Sequence, residues 1–232
     1  QYELSSGFEP LSTNIHFSEV DSNPLSHLEA HPNKDGNAID WGDKPFEDWR
    51  RSFQEALELI EHALPELRAE IETSLTRVIP VGFEPEKHLS ASYREAPGLI
   101  YMTLHPSVLT LAEAIIHETQ HSKLNALTWF DRVLENGHTT WTDSPVRPDQ
   151  RPLMGVLLAV HAFVPVAAFH ARLAEKDHPI ATMAFSRRRQ EVLRSNRAGL
   201  KTLHELAKPT ETGKRVLAAL QGIHEATVAA YP

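Results

Sequence analysis

The sequence predicts an α+β fold, predominantly helical, with a small antiparallel sheet. Three observations predict it: helical periodicity over residues 46–75, three short β-type segments between 78 and 104, and helical periodicity again over most of 111–230.

Taken in order, residues 1–45 mix Ser, Asn, Pro, Asp and Gly with scattered apolar residues. They are expected to form an irregular arm draped over a single, mainly helical domain spanning 46–232. In that domain Phe46, Trp49, Phe53, Leu57, Ile60, Leu64, Leu67 and Ile71 recur at steps of three and four, which predicts a long amphipathic helix kinked at Pro65. VIPVGF, HLSASY and GLIYMTL are short, β-branched or alternating, and separated by turns containing Pro or Gly, so they read as the sheet.

The stretch LAEAIIHETQHSKLNAL, residues 111–127, follows. At about 3.6 residues per turn, a spacing of four puts His117 and His121 on one helix face, where both imidazoles can reach one ion. Glu118 projects about a third of a turn away, placed to act on a metal-bound water or to steady a ligand. Leu111, Ala114, Ile115 and Leu124 surround the histidine face, and Ser107 or Thr110 can cap the helix start. An ordinary solvated face would carry the same residues, but this helix is otherwise apolar and core-forming. A long helix, a small sheet and an HExxH helix form the layout of the zincin metallopeptidases, in which a sheet edge holds an extended peptide.

Beyond the motif, residues 131–152 contain three prolines and a glycine without sustained periodicity, predicting a loop of a length that usually serves function. Helices are expected over 153–173, 179–206 and 210–230, with the basic run SRRRQ at 186–190 as a solvated face.

Composition narrows the chemistry. The chain has 232 residues, a net charge of -8 and a pI near 6.0, which argues against nucleic acid as a partner. Cysteine is absent, so any metal must be held by His, Asp or Glu. No run approaching 18 apolar residues is evident and the opening QYELSSGFEP has no leader pattern, so a cytoplasmic protein without a membrane partner is expected.

A catalytic metal needs a third protein ligand, with His161, His138, Glu135, Asp149 and His170 as candidates. His161 ranks first because it lies in the apolar helix stretch LLAVHAF, where a buried imidazole needs a reason; a hydrogen-bonded core histidine is the plain alternative. In VRPDQRP, Arg147 and Arg151 stand four apart in a proline-stiffened segment. Either could anchor a dicarboxylic cosubstrate through its bidentate fork, or form an internal salt bridge with Asp149 or Asp143.

The motifs HETQHSKLNAL and RPDQRPLMGVLL, within residues 88–173, resemble the HExxH-type peptide-modification proteins of bacterial ribosomal-peptide clusters. The resemblance implies an iron(II)- and 2-oxoglutarate-dependent oxygenase that hydroxylates a β-carbon of a precursor peptide. By matching position it implies His117 and His121 as metal ligands, with Arg147 and Arg151 in the cosubstrate region. The alternative from the helix motif alone is a zinc peptidase with Glu118 as general base. A metal-stabilised peptide-binding module without chemistry is the third reading.

Overall fold

The computed structural model describes residues 7–26, 39–143 and 149–230. Its internal contacts divide the chain into two compact units, 1–123 and 124–232, and each is described by itself.

In the first unit the long amphipathic stretch is two helices, α1 (Phe46–Ala63) and α2 (Pro65–Ser74). Pro65 lacks the N–H that would continue α1 and suits the first position of a new helix, so the expected kink is a full break at Leu64 (φ -142°, ψ 82°). The sheet holds five strands: β1 (Phe8–Pro10), β2 (His16–Ser18), β3 (Arg77–Phe83), β4 (Ser90–Ala91) and β5 (Leu99–Leu104), in the spatial order β1-β2-β3-β5-β4. The first two strands lie within the segment expected to be irregular.

The sheet is mixed, which corrects the antiparallel expectation. β1 with β2 and β4 with β5 are antiparallel, whereas β2, β3 and β5 run parallel. Parallel neighbours need crossovers, and α1 with α2 supplies one between β2 and β3, while residues 84–98 supply the other between β3 and β5. All six residues of β5 are buried, the continuous apolar reading of a strand covered on both faces. Phe17 of β2 packs its ring 5.0–5.4 Å from Trp41, Phe46 and Trp49, tying α1 to the sheet.

The motif helix α3 spans Val108–Leu127. Ser107 Oγ accepts the Thr110 N–H at 3.2 Å and so caps its start, settling the two sequence candidates in favour of Ser107.

In the second unit the stretch 131–152 contains a short antiparallel hairpin, β6 (Trp141–Asp143) with β7 (Gln150–Pro152). Then come α4 (Leu153–Glu175), α5 (Met183–Leu206) and α6 (Glu211–Ala230), close to the expected ranges. Leu153, Leu157 and Val160 of α4 pack with Leu200 and Leu203 of α5 and Leu220 of α6 into one apolar core. Contrary to the expectation about apolar runs, α4 is long and apolar enough to cross a membrane, because His161 and His170 do not offset its aliphatic residues. In the structure 67% of that stretch is buried, as befits the central helix of a core.

Candidate metal centre

His117 and His121 stand edge to face on α3, with ring centroids 4.3 Å apart and an interplanar angle of 82°. Both are half-buried. The one-turn spacing thus brings the two rings together, and they offer two of the three protein donors a catalytic metal usually takes. Among the described residues, no group of three His, Asp or Glu side chains is arranged to hold an ion, so the donors brought together are the histidine pair.

Glu118, one residue along, points elsewhere. It is 4% exposed, and its carboxylate is met by two hydroxyls: Ser90 Oγ donates to Oε1 at 2.7 Å and Ser92 Oγ to Oε2 at 2.7 Å. A buried carboxylate is costly unless its lone pairs are satisfied, and the two serines at the edge strand satisfy one on each oxygen. Two further polar residues of the motif are structural. Gln120 Nε2 donates to Glu70 Oε1 at 2.5 Å, and Ser122 Oγ accepts the Gly98 N–H at 2.6 Å, which fastens α3 to the start of β5.

Beside Glu118 lies His88, with His105 next to it, and the motif revealed neither. His88 shares a 3.1 Å hydrogen bond between Nδ1 and Thr103 Oγ1, and its Nε2 is buried without a hydrogen-bond partner. Burial pushes its pKa down to about 4, the neighbouring His105 acts in the same direction, and the Glu118 charge opposes both. The His105 ring lies 6.0 Å away; burial also lowers its pKa, while its Nδ1 accepts the Ser107 N–H at 2.9 Å. Both imidazoles are therefore neutral at physiological pH. A signal for His88 was present in HLSASY: at the strand period of two, His88, Ser90 and Ser92 share a face.

The other expected site residues belong to the second unit. His161 is half-buried on α4. His170, a lesser candidate for the third ligand, is wholly buried, with its ring 5.0 Å from Phe185, and serves as a core residue. His138 and Glu135 are exposed, and Glu135 lies 3.8 Å from Arg132. Arg151 Nε lies 2.8 Å from Asp149 Oδ2, an ion pair without the alignment a hydrogen bond needs. Arg147 lies outside the described residues.

No protein-family profile matches the chain, and no curated protein does either.

Proposed function

We propose that this protein is an iron(II)- and 2-oxoglutarate-dependent oxygenase that hydroxylates a side-chain β-carbon of a ribosomal precursor peptide. The motif resemblance over residues 88–173 supplies the reaction class. The observation that favours it over a zinc peptidase is the engagement of both Glu118 oxygens by Ser90 and Ser92. These hydroxyls take one lone pair on each oxygen and hold Glu118 toward the sheet edge, where it fixes the helix carrying the histidines, a positioning role that the oxygenase can use and that leaves the attacking water of a hydrolase a less favoured partner.

In this reading His117 and His121 hold the ion, and His161 is the third donor expected from the sequence. Iron with 2-oxoglutarate supplies the oxidation of an unactivated C–H bond by dioxygen, with 2-oxoglutarate leaving as succinate and carbon dioxide. The protein's own part is binding and orientation. Neutral imidazoles donate to the metal, and Arg147 or Arg151 meets the distal carboxylate of the cosubstrate. Because Asp149 already compensates Arg151, Arg147 is the first choice for that anchor.

The layout is proposed to be zincin-like on the chain order of a long helix, a sheet and an HExxH helix, with β4 as an edge strand. The deciding experiment is Glu118→Gln, assayed with iron and 2-oxoglutarate for succinate, and with zinc for peptide cleavage. Retained succinate formation supports the oxygenase. Loss of a zinc-dependent cleavage that the parent shows would establish the hydrolase.

A further inference from the structure

We infer that the end of the sheet where β2, β3 and β5 begin binds a small zwitterion, an α-amino acid or dipeptide whose ammonium and carboxylate groups are both free. A cavity of about 620 Å³ opens there, within the size range of small-molecule sites. The strand register builds one wall. His16, Arg77 and Leu99 each start a strand and are paired across it, His16 with Arg77 and Arg77 with Leu99. Paired residues of neighbouring strands point to the same face, so the three side chains stand in a row. Phe8 of β1 lines the cavity too, with its ring centroid 4.8 Å from the Arg77 guanidinium carbon. Glu95, from the stretch between β4 and β5, completes the polar lining with Ser22.

Two opposite charges therefore line one cavity, and neither is answered by a charge. Arg77 Nη1 donates to the neutral Ser22 Oγ at 2.5 Å, and Glu95 Oε1 accepts from the neutral Asn23 Nδ2 at 3.2 Å. Among the described residues neither side chain forms an ion pair. The part-buried Arg68 of the same unit, by contrast, meets Glu72 at 2.5 Å. The segment 21–23 holds Arg77 and Glu95 in place. Asp21 Oδ1 accepts the Tyr101 hydroxyl at 2.8 Å, and Asn23, 4% exposed, accepts the Leu25 N–H at 2.9 Å on Oδ1, so three consecutive side chains brace Tyr101, Arg77 and Glu95. Arg77 retains N–H donors beyond the one given to Ser22, and Glu95 retains Oε2. A ligand with a carboxylate and an ammonium group would answer both charges through charge-assisted hydrogen bonds, whereas a simple anion or cation would leave one unanswered. The planar fork of Arg77 suits the carboxylate, and His16 beside it offers an imidazole to the same group. Phe8 and Leu99 supply apolar surface for the ligand's side chain.

The test titrates the full chain with leucine and, separately, with alanyl-leucine, followed by NMR chemical shifts. At least one of the two should bind saturably, and the tighter identifies which kind of zwitterion the cavity takes. N-acetylation or amidation of that ligand should each weaken it by roughly tenfold or more, because each removes one charged hydrogen bond. Glu95→Gln keeps an oxygen for Asn23; it should weaken the free ligand to the same extent and leave the acetylated form as it was. Arg77→Met, which keeps apolar contact with Phe8, should weaken the free ligand and spare the amidated one. Each variant is thus judged against a capped ligand, and Glu95→Gln decides alone if Arg77→Met does not fold by circular dichroism. Absence of saturable binding by both zwitterions, capped forms that bind as well as the free ligand, or variants that weaken free and capped ligands alike would overturn the proposal. None of these measurements needs metal or turnover.

Discussion

Glu118 and Ser90 face one another between α3 and the edge strand β4, with Oε1 accepting from Oγ at 2.7 Å, and Ser92 repeats the arrangement on Oε2. This relationship gives the motif glutamate a structural partner set before any metal chemistry is considered.

Glu118→Gln should therefore leave the protein folded, because an amide can both donate to and accept from the two serine hydroxyls. Loss of a general base typically costs about 10²–10⁴-fold in rate, whereas loss of an outer-shell positioning partner typically costs about 10–100-fold. The two are separated by initial rates on metal-loaded parent and variant. Ser90→Ala/Ser92→Ala should cost about 1–3 kcal/mol in denaturant unfolding, because it leaves Glu118 buried without its hydroxyl donors.

His117→Ala and His121→Ala should each abolish stoichiometric metal binding, read by elemental analysis after reconstitution, while circular dichroism and the unfolding midpoint stay close to those of the parent. The reason is that the half-buried rings sit on a helix whose core contacts, Leu111, Ile115 and Leu124, lie on other positions. A variant that keeps one metal per chain would remove this pair from the ligand set.

Stability should fall on mild acidification through His88. Its folded pKa, about 4, lies below the ordinary 6.5 of the unfolded chain, chiefly through burial, with His105 adding to the shift and Glu118 opposing it. As pH drops through 6.5 the unfolded state takes up the proton first, so stability is lost between 6.5 and 4 and is fully present above that window. From pH 7 to pH 5 the loss from this residue is about 2 kcal/mol. Urea unfolding at both pH values should show a smaller loss for His88→Gln than for the parent. Identical losses would mean that His88 titrates normally.

For the cosubstrate, Arg147→Ala should raise the 2-oxoglutarate concentration needed for succinate formation by roughly 10- to 150-fold, the equivalent of about 1.5–3 kcal/mol for a charged hydrogen bond. Arg151→Ala should have a smaller effect, because Asp149 already answers its charge. If both variants titrate like the parent, neither arginine is the anchor.

Much of the helical framework was legible because periodicity survives in the chain: α1, α2 and α4 to α6 fall close to the ranges read from their apolar spacing. The N-terminal strands were not, since β1 and β2 hold three residues each and no period can show in so few. Strand direction was equally hidden, because it depends on where residues 84–98 cross rather than on their composition. Within the site, spacing correctly brought His117 beside His121, but it could not show which way Glu118 turns, as that follows from hydroxyls some 28 residues earlier in the chain. His161 and His170 sit in similar apolar surroundings in sequence, and only packing against Phe185 marks His170 as core.

An oxygenase whose ion is held by the α3 histidines is tested by succinate production from 2-oxoglutarate by iron(II)-loaded protein in air, beside His121→Ala treated identically. Succinate should form with the parent at a rate well above that of the variant. No succinate from an iron-loaded parent, together with zinc-dependent cleavage of an unfolded peptide that Glu118→Gln abolishes, would contradict it.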